Sequence, residues 1–426
     1  MKPYTRTLSR RTCLALGMAV GVFASAATAQ PQAQPTRGWI AAEGGGIGSC
    51  EGWTEELFGW MVERASANAP GRKVRAVIIG AIPLDEPDER LAVFTSLGAE
   101  AVGIVVDESN ANSDETSKVL SAADIIFIRG GDQSRYVNWW KGTATETAIH
   151  SVFDRGGVIA GTSAGCAILG EVAFDAKVGS LSSEEAITDA QHSNITLSRD
   201  FLGLVPNVIF DTHFAERSRL ARAVVLLAHA SRRPTGEQEQ STRSPTAPLL
   251  QMLGVDPCTA VIVSPTGDRS VKGRGQVTRL SWTPQSIELL PTGKAPTIGP
   301  VAMAIYSDGQ TIGPETELKN KSAGHTSGVS VLQTSWNWKG ADELATFLRS
   351  GATKRNHGVI FLNSGTATEN TSAIELASDD PAKGAAMLLD FRGCSVSEEP
   401  FQATGVTVWL VPTPTNFAFG PLAPGK

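Results

Sequence analysis

The sequence contains a serine in a pattern typical of catalytic nucleophiles. An apolar run at residues 158–160 leads into the pentapeptide Gly-Thr-Ser-Ala-Gly at residues 161–165, and small, helix-forming residues follow. This is the form of a nucleophile elbow, in which a strand ends in a sharp turn at the serine and a helix begins directly after it. The glycines leave room for a strained backbone and for the approach of a substrate. We therefore predict that Ser163 is a nucleophile.

A serine hydroxyl needs a base to take its proton, and one histidine is suitably placed. His213 directly follows an apolar strand predicted at Val208–Phe210, so we expect it at the same sheet edge as Ser163. The other histidines of the mature chain lie in helices, in a polar loop or in the C-terminal part, at positions 150, 192, 229, 325 and 357. His213 is therefore the predicted general base.

The third member of such a triad is a carboxylate that orients the histidine. Glu184, Glu185 and Asp189 lie in the polar segment after the elbow, and Asp211 lies two residues before the histidine. The residue pattern alone does not choose among these four.

Backbone N–H groups near the serine would stabilise the oxyanion of an acyl-transfer reaction. Gly130 and Gly131 follow an apolar strand and can bring their N–H groups near Ser163, where the amide of Ala164 would join them. Gly131 and Ala164 are thus the predicted oxyanion hole.

Several polar side chains near the predicted site could bind a substrate. Gln133 offers an amide, and three arginines on a helix predicted at residues 216–230 could bind an anionic group with two hydrogen bonds each. The arginines are Arg217, Arg219 and Arg222.

The elements that must position these residues alternate between strands and helices, which predicts a mostly parallel sheet with helices on both faces. Binding sites in such sheets lie beyond the carboxyl ends of the strands. Three strand ends carry glycine-rich turns, at residues 44–48, 130–133 and 161–165, and we expect them to converge. The segments 260–263 and 276–280 are interpreted as a β-hairpin, and short strands without recognisable chemistry follow Trp282.

Composition and the N-terminus indicate an exported, acidic protein. Residues 1–29 combine a basic start, a short apolar run and a small-x-small cleavage site, which predicts a signal peptide. Ser9-Arg10-Arg11 also fits a twin-arginine signal, and residues 30–38 resemble a linker. We expect the mature chain to begin near Gln30 and to lie in the periplasm or outside the cell. No later stretch reaches eighteen apolar residues, so we expect no membrane association after signal cleavage, and the negative net charge argues against binding of nucleic acid.

The cysteines predict disulfides rather than a metal centre. Cys50, Cys166, Cys258 and Cys394 remain after signal cleavage and could form one or two bonds in an oxidising compartment. No Cys-x-x-Cys or Cys/His ligand spacing occurs, so neither a metal nor another cofactor is expected.

Three motifs together resemble the cyanophycinase family, a group of serine peptidases related to the aspartyl dipeptidases. They are Gly-Gly-Asp-Gln at 130–133, Gly-Thr-Ser-Ala-Gly at 161–165 and Asp-Thr-His-Phe-Ala-Glu-Arg-Ser-Arg-Leu-Ala-Arg at 211–222. The resemblance covers about residues 39–283. It implies an α/β fold like that of class I glutamine amidotransferases and flavodoxin, followed here by a β-rich extension at residues 284–426.

The resemblance also implies residue roles. The family's nucleophile and base fall on Ser163 and His213, and its acid lies in a Ser-Glu motif that Ser183-Glu184 matches best. The implied substrate-binding residues are Gln133, Asp211, Arg217, Arg219 and Arg222.

This chain departs from the family pattern at two motifs and in length. Thr212 replaces a usual glutamine, and the family's Asp-Glu-x-Thr-Ala segment appears at residues 256–260 with Pro257 in place of glutamate. The chain after Trp282 also exceeds the usual family length.

The predicted function is hydrolysis of peptide or isopeptide bonds by a serine nucleophile. The resemblance implies that the substrate is cyanophycin, a polymer with an aspartate backbone and arginine on each β-carboxyl group, and that the product is β-aspartyl-arginine. Alternatives are an isoaspartyl or aspartyl dipeptidase, an α/β-hydrolase esterase and a catalytically inactive binding protein. The C-terminal extension could serve as a β-rich binding module or form a homodimer.

Overall fold

The computed structural model describes most of the N-terminal two thirds of the chain and the strands of the remainder. The described residues are 38–83, 88–232, 249–290, 294, 296–313, 326–333, 355–361, 365–369, 374–378, 385–390, 395–398, 401–412 and 415–417. The predicted signal peptide and nearly all of the predicted linker lie outside them, as does Cys394. Within these residues, no helix has the length and apolar character required to cross a membrane.

Eight helices lie in the described residues. They are α1 (Trp53–Ser66), α2 (Glu89–Ser96), α3 (Asp114–Ser121), α4 (Gln133–Trp140), α5 (Ala144–Asp154), α6 (Ala164–Ala167), α7 (Ser183–Thr188) and α8 (Leu220–Ser231). The described strands up to residue 263 are β1 (Trp39–Glu43), β2 (Arg75–Gly80), β3 (Glu100–Val105), β4 (Ile125–Ile128), β5 (Val158–Thr162), β6 (Gly170–Phe174), β7 (Leu197–Ser198), β8 (Val205–Asp211), β9 (Gln251–Val255) and β10 (Thr259–Val263). The later ones are β11 (Arg269–Gly273), β12 (Val277–Leu289), β13 (Thr297–Tyr306), β14 (Thr326–Gln333), β15 (Arg355–Phe361), β16 (Gly365–Glu369), β17 (Ile374–Ser378), β18 (Ala385–Asp390), β19 (Ser395–Glu398), β20 (Phe401–Pro412) and β21 (Thr415–Phe417).

The first sheet confirms the predicted α/β class. Its order is β11-β10-β1-β5-β4-β2-β3, and the five strands from β1 to β3 in that order are parallel. Because successive side chains of a strand point to opposite faces, each strand contributes side chains to two cores, one on each face of the sheet. On β4, Ile126 and Ile128 pack with α3, α4 and α5, whereas Ile125 and Phe127 pack with α1 and α2. The helices therefore cover both faces.

A second, larger sheet was not predicted from the sequence. It has the order β14-β15-β18-β20-β13-β12-β9-β8-β6-β7, with β19 paired to β20, and it is mixed rather than parallel. One face packs on α8, and the other shares a core with the first sheet. A third sheet has the order β16-β17-β21.

The hairpin interpretation of residues 260–263 and 276–280 is wrong. Strand β10 pairs with β1 and β11 in the first sheet, whereas β12 pairs with β9 and β13 in the second. The two segments are close in sequence, but each completes a different sheet.

The domain boundary predicted between residues 283 and 284 falls inside β12, and both ends of this strand pair with β13. The β-rich character expected after this position is present in the described strands. The division into two domains stays a prediction.

Candidate active site

Ser163 occupies a strained turn between β5 and α6. Its φ is 52° and its ψ is −115°, a conformation that is costly for a residue with a side chain and typical of a nucleophile elbow. The flanking glycines have packing reasons of their own. A Cβ on Gly161 would lie 2.3 Å from the carbonyl oxygen of Gly165, and a Cβ on Gly165 would lie 2.3 Å from that of Ile128. The close packing of strand, turn and helix therefore requires glycine at both positions.

His213 reaches the serine from the second sheet. It follows β8, which pairs with β6 and β9, so the expectation that it shares the sheet of Ser163 is wrong. The two sheets nevertheless meet at this point. The His213 amide donates to the carbonyl of Gly44 (2.7 Å), and a Cβ on Gly45 would lie 2.4 Å from the imidazole Cε1 and Nε2 atoms. The imidazole therefore packs on the glycine-rich turn at residues 44–48 after β1, which we call the glycine loop.

The hydroxyl, the imidazole and a carboxylate form one line of contacts. The Ser163 Oγ lies 3.0 Å from His213 Nε2, and the Glu216 Oε2 lies 2.6 Å from His213 Nδ1. Burial lowers the pKa of His213 below 6.5, while the contact with Glu216 opposes that shift. A neutral imidazole at pH 7 is able to accept a proton from the serine.

Glu184, the predicted triad acid, is exposed on α7, and the carboxylate beside the imidazole is Glu216. The other two candidates of the polar segment have local partners. Glu185 forms a capping box with Ser182, and Asp189 accepts from the amide of Gln191.

Glu216 was missed because the helix predicted at residues 216–230 begins later, at Leu220. Residues 214–218 form turns, and Ser218 has a φ of 52°, which a continuous helix does not allow. The turn brings the side chain of Glu216 back to the imidazole three residues before it. An acidic residue three positions after a histidine was the available sequence signal.

The predicted oxyanion residues border the serine. Gly131 has a φ of 138°, and a Cβ on Gly130 would lie 3.3 Å from the Cβ of Ser163. Ala164 is the first residue of α6, so its N–H has no acceptor within that helix. The role of these amides stays a prediction.

A cavity of about 330 Å³ opens beside Ser163. It is lined by eight of the predicted site residues, namely Gly131, Gln133, Ser163, Ala164, Asp211, Arg217, Arg219 and Arg222. Gln133 lies at the start of α4, and its amide approaches the carbonyl of Phe174 at 3.4 Å. The sequence motifs therefore do converge on one pocket.

Two arginines share one carboxylate at the base of this cavity. Arg222 contacts Asp211 through Nε (2.9 Å) and Nη2, and Arg219 reaches the same carboxylate at 3.3 Å. Burial and the neighbouring Arg222 lower the pKa of Arg219 to about 9. Arg217 is half exposed at the rim. Excess positive charge in a buried place favours a ligand with an anionic group.

One buried acidic residue near the serine was not predicted from the sequence. Glu43, the last residue of β1, is fully buried and accepts hydrogen bonds from Gly45, Trp53 and Thr162. A single carboxylate at the end of an apolar strand is a weak signal in a sequence.

A disulfide joins two loops next to the site. It links Cys50, after the glycine loop, to Cys258, between β9 and β10. The same two loops are joined by a hydrogen bond from the Cys258 amide to the Gly45 carbonyl (2.7 Å). The bond agrees with the prediction of one or two disulfides, and Cys166 is a buried free thiol.

Comparison with known proteins identifies the segment that carries these motifs. Residues 88–237 match the sequence profile of Peptidase family S51. The resemblance to the cyanophycinase family of serine peptidases is thus confirmed.

Relatives of this S51 segment carry the name Cyanophycinase. The protein of Synechococcus elongatus is 32% identical over 215 residues, which are 47% of this chain and 58% of that protein. The protein of Nostoc sp. (strain PCC 7120 / SAG 25.82 / UTEX 2576) is 27% identical over 196 residues, 44% of this chain and 56% of that protein. The chain thus spans little more than half the length of these curated relatives. A solved structure, a peptidase from an acI-B1 Actinobacterium, overlaps with a TM-score of 0.43 at 20% identity, covering 65% of this chain and 97% of that one.

Proposed function

We propose that this chain is a serine hydrolase that cleaves peptide or isopeptide bonds. The observation that carries the proposal is the line of contacts from Ser163 Oγ to His213 Nε2 (3.0 Å) and from His213 Nδ1 to Glu216 (2.6 Å). This is the arrangement by which a hydroxyl becomes a nucleophile at neutral pH.

In the proposed mechanism, His213 takes the proton of Ser163 while the oxygen attacks the scissile carbonyl. The imidazolium then donates this proton to the leaving amine. In the second half of the reaction, a water molecule attacks the acyl-enzyme while His213 takes its proton, and the imidazolium returns a proton to the Ser163 oxygen as the acyl group leaves. Glu216 orients the imidazole and stabilises its cationic form. The amides of Gly131 and Ala164 donate to the oxyanion of each tetrahedral intermediate.

The substrate we propose is cyanophycin, with β-aspartyl-arginine as the product. The name of the relatives motivates this choice, and the charge of the cavity supports it. Each unit of the polymer carries the free carboxylate of its arginine, and within the described part of the chain the two cations Arg219 and Arg222 share the single carboxylate of Asp211. An arginine guanidinium binds a carboxylate through two parallel hydrogen bonds.

The test uses the purified chain, without its predicted signal peptide, and cyanophycin as the substrate. We expect release of β-aspartyl-arginine by the wild-type protein and loss of release by Ser163→Ala, with an unchanged circular dichroism spectrum. Absence of dipeptide release from the polymer, with hydrolysis of isoaspartyl dipeptides, would instead assign the protein to the dipeptidases. Undiminished release by Ser163→Ala would reject the mechanism.

We further propose that the protein acts outside the cytoplasm. The predicted signal peptide motivates this, and the Cys50–Cys258 bond supports it because disulfides persist in oxidising compartments. Fractionation of cells that produce the full-length chain tests it. Full-length protein in the cytoplasmic fraction alone would contradict the proposal.

A further inference from the structure

Glu43 lies between the two parts of the backbone that present the serine and the histidine. We propose that Glu43 is a positioning residue of the active site, whose carboxyl group fixes both the residue before Ser163 and the glycine loop on which His213 packs. This inference rests on the proposed roles of Ser163 and His213 as nucleophile and base.

The contacts toward the serine come from the neighbouring strand. Strands β1 and β5 are parallel, and Glu43 stands opposite Thr162 in their register. The Thr162 hydroxyl donates to Glu43 Oε2 at 2.5 Å, and the Ser163 amide donates to the Glu43 carbonyl at 3.0 Å. Both the main chain and the side chain of Glu43 therefore contact the start of the strained elbow.

The contacts toward the histidine pass through the loop after β1. The same Oε2 atom accepts from the amide of Gly45 at 2.9 Å, and Gly45 is the residue whose Cα faces the imidazole of His213. The second oxygen, Oε1, accepts from the indole of Trp53 at 3.3 Å, where α1 begins. One carboxyl group thus links the loop, the helix start and the elbow.

Stability alone does not explain a carboxyl group at this place. Glu43 is fully buried, and among the described residues it forms no ion pair with a lysine, arginine or histidine. Burial without a counter-charge is costly, and it raises the pKa of Glu43 to about 8. An apolar residue like Ile40 or Ala41 on the same strand would avoid that cost but would leave the Gly45 amide and the Thr162 hydroxyl without their acceptor.

The experiment measures how fast a fluorophosphonate labels Ser163 in the full chain, because this reaction needs the serine–histidine pair but no peptide substrate. We expect Glu43→Gln, which keeps an oxygen for Gly45 and Thr162, to react within about fivefold of wild type, and Glu43→Val to react about 10²-fold more slowly. With a peptide substrate, Glu43→Val should lower kcat and leave KM nearly unchanged, because the cavity arginines are untouched.

The matched control is Asp124→Asn. Asp124 is another buried carboxylate, but it pairs with Arg72 (2.6 Å) at the start of β4, at the opposite end of the strands from the site. The Asp124→Asn variant should have a lower melting temperature than the wild type, but Ser163 should be labelled at the wild-type rate. If Glu43→Val is labelled as fast as wild type, or if Asp124→Asn slows labelling equally, the positioning role is refuted.

If Glu43→Val does not fold, Thr162→Val removes one contact of the carboxyl group, and wild-type labelling of that variant would equally refute the role. If the wild-type chain is labelled but cleaves no polymer, the proposed substrate is wrong, and the labelling rates of the variants still test the role of Glu43. Absence of labelling in the wild type would reject the nucleophile and with it both proposals.

Discussion

Replacement of Gly45 by alanine should slow the reaction of Ser163 by moving the imidazole. The new Cβ would lie 2.4 Å from Cε1 and Nε2 of His213, and ordinary contact begins at 3.4 Å, so the ring must shift by about 1 Å. A displacement of about 1 Å in a catalytic group costs on the order of 10² in rate, or about 2.7 kcal/mol in the activation barrier. The φ of +121° at Gly45 adds about 1–2 kcal/mol of backbone strain for any residue with a side chain.

The same loop offers a matched control for this prediction. Gly48 has a φ of +83°, and a Cβ there would meet no atom within 4 Å, so Gly48→Ala carries the backbone strain without the collision. We expect fluorophosphonate labelling of Ser163 to be about 10²-fold slower in Gly45→Ala than in Gly48→Ala, with similar melting temperatures. Equal labelling rates in the two variants would refute the conclusion that this glycine determines where the imidazole lies.

Three further predictions concern the carboxylate beside the histidine, the pKa of the histidine and the disulfide. Glu216→Gln should lower kcat about 10- to 10²-fold, which is less than the loss expected for a fully buried triad acid, because the Glu216 side chain is 56% exposed. Glu184→Gln should retain wild-type kcat. The opposite ranking of the two variants would restore Glu184 as the acid. Because burial lowers the pKa of His213 below 6.5, kcat/KM should be constant near neutrality and fall only as the pH drops through that lowered pKa, and a midpoint above 6.5 in a pH–rate profile would contradict this. Cys50→Ala combined with Cys258→Ala should lower the free energy of unfolding by about 2–5 kcal/mol in urea titrations, and unchanged unfolding would show that the bond adds nothing to stability.

The sequence predicted the parts of the site that depend on local patterns. Ser163 was found because strand, glycines and helix-forming residues surround it, and the strand ends after β1, β4 and β5 do meet, since these three strands are adjacent and parallel. The alternation of apolar strands with helices likewise predicted a sheet with helices on both faces.

The sequence could not predict features that depend on which strands pair. Strand β8 has the same apolar character as β5, and nothing in its residues indicates that it joins the second sheet. The acid beside His213 depends on a turn at Ser218 that interrupts an otherwise helical pattern, and the importance of Glu43 depends on the register that places it opposite Thr162. Each of these is a tertiary effect that outweighs local propensity.

The disulfide also has a consequence for the order in which the protein is completed during synthesis. Cys50 and Cys258 are 208 residues apart, and β10, which pairs with β1, follows Cys258 directly. A growing chain therefore contains the serine, the histidine and the glycine loop well before it contains Cys258 and β10, which hold this loop and β1 in place. A nascent chain that ends before Cys258 lacks both the bond and the strand, so we expect hydrolytic capacity to arise only after nearly all of the first sheet has been synthesised.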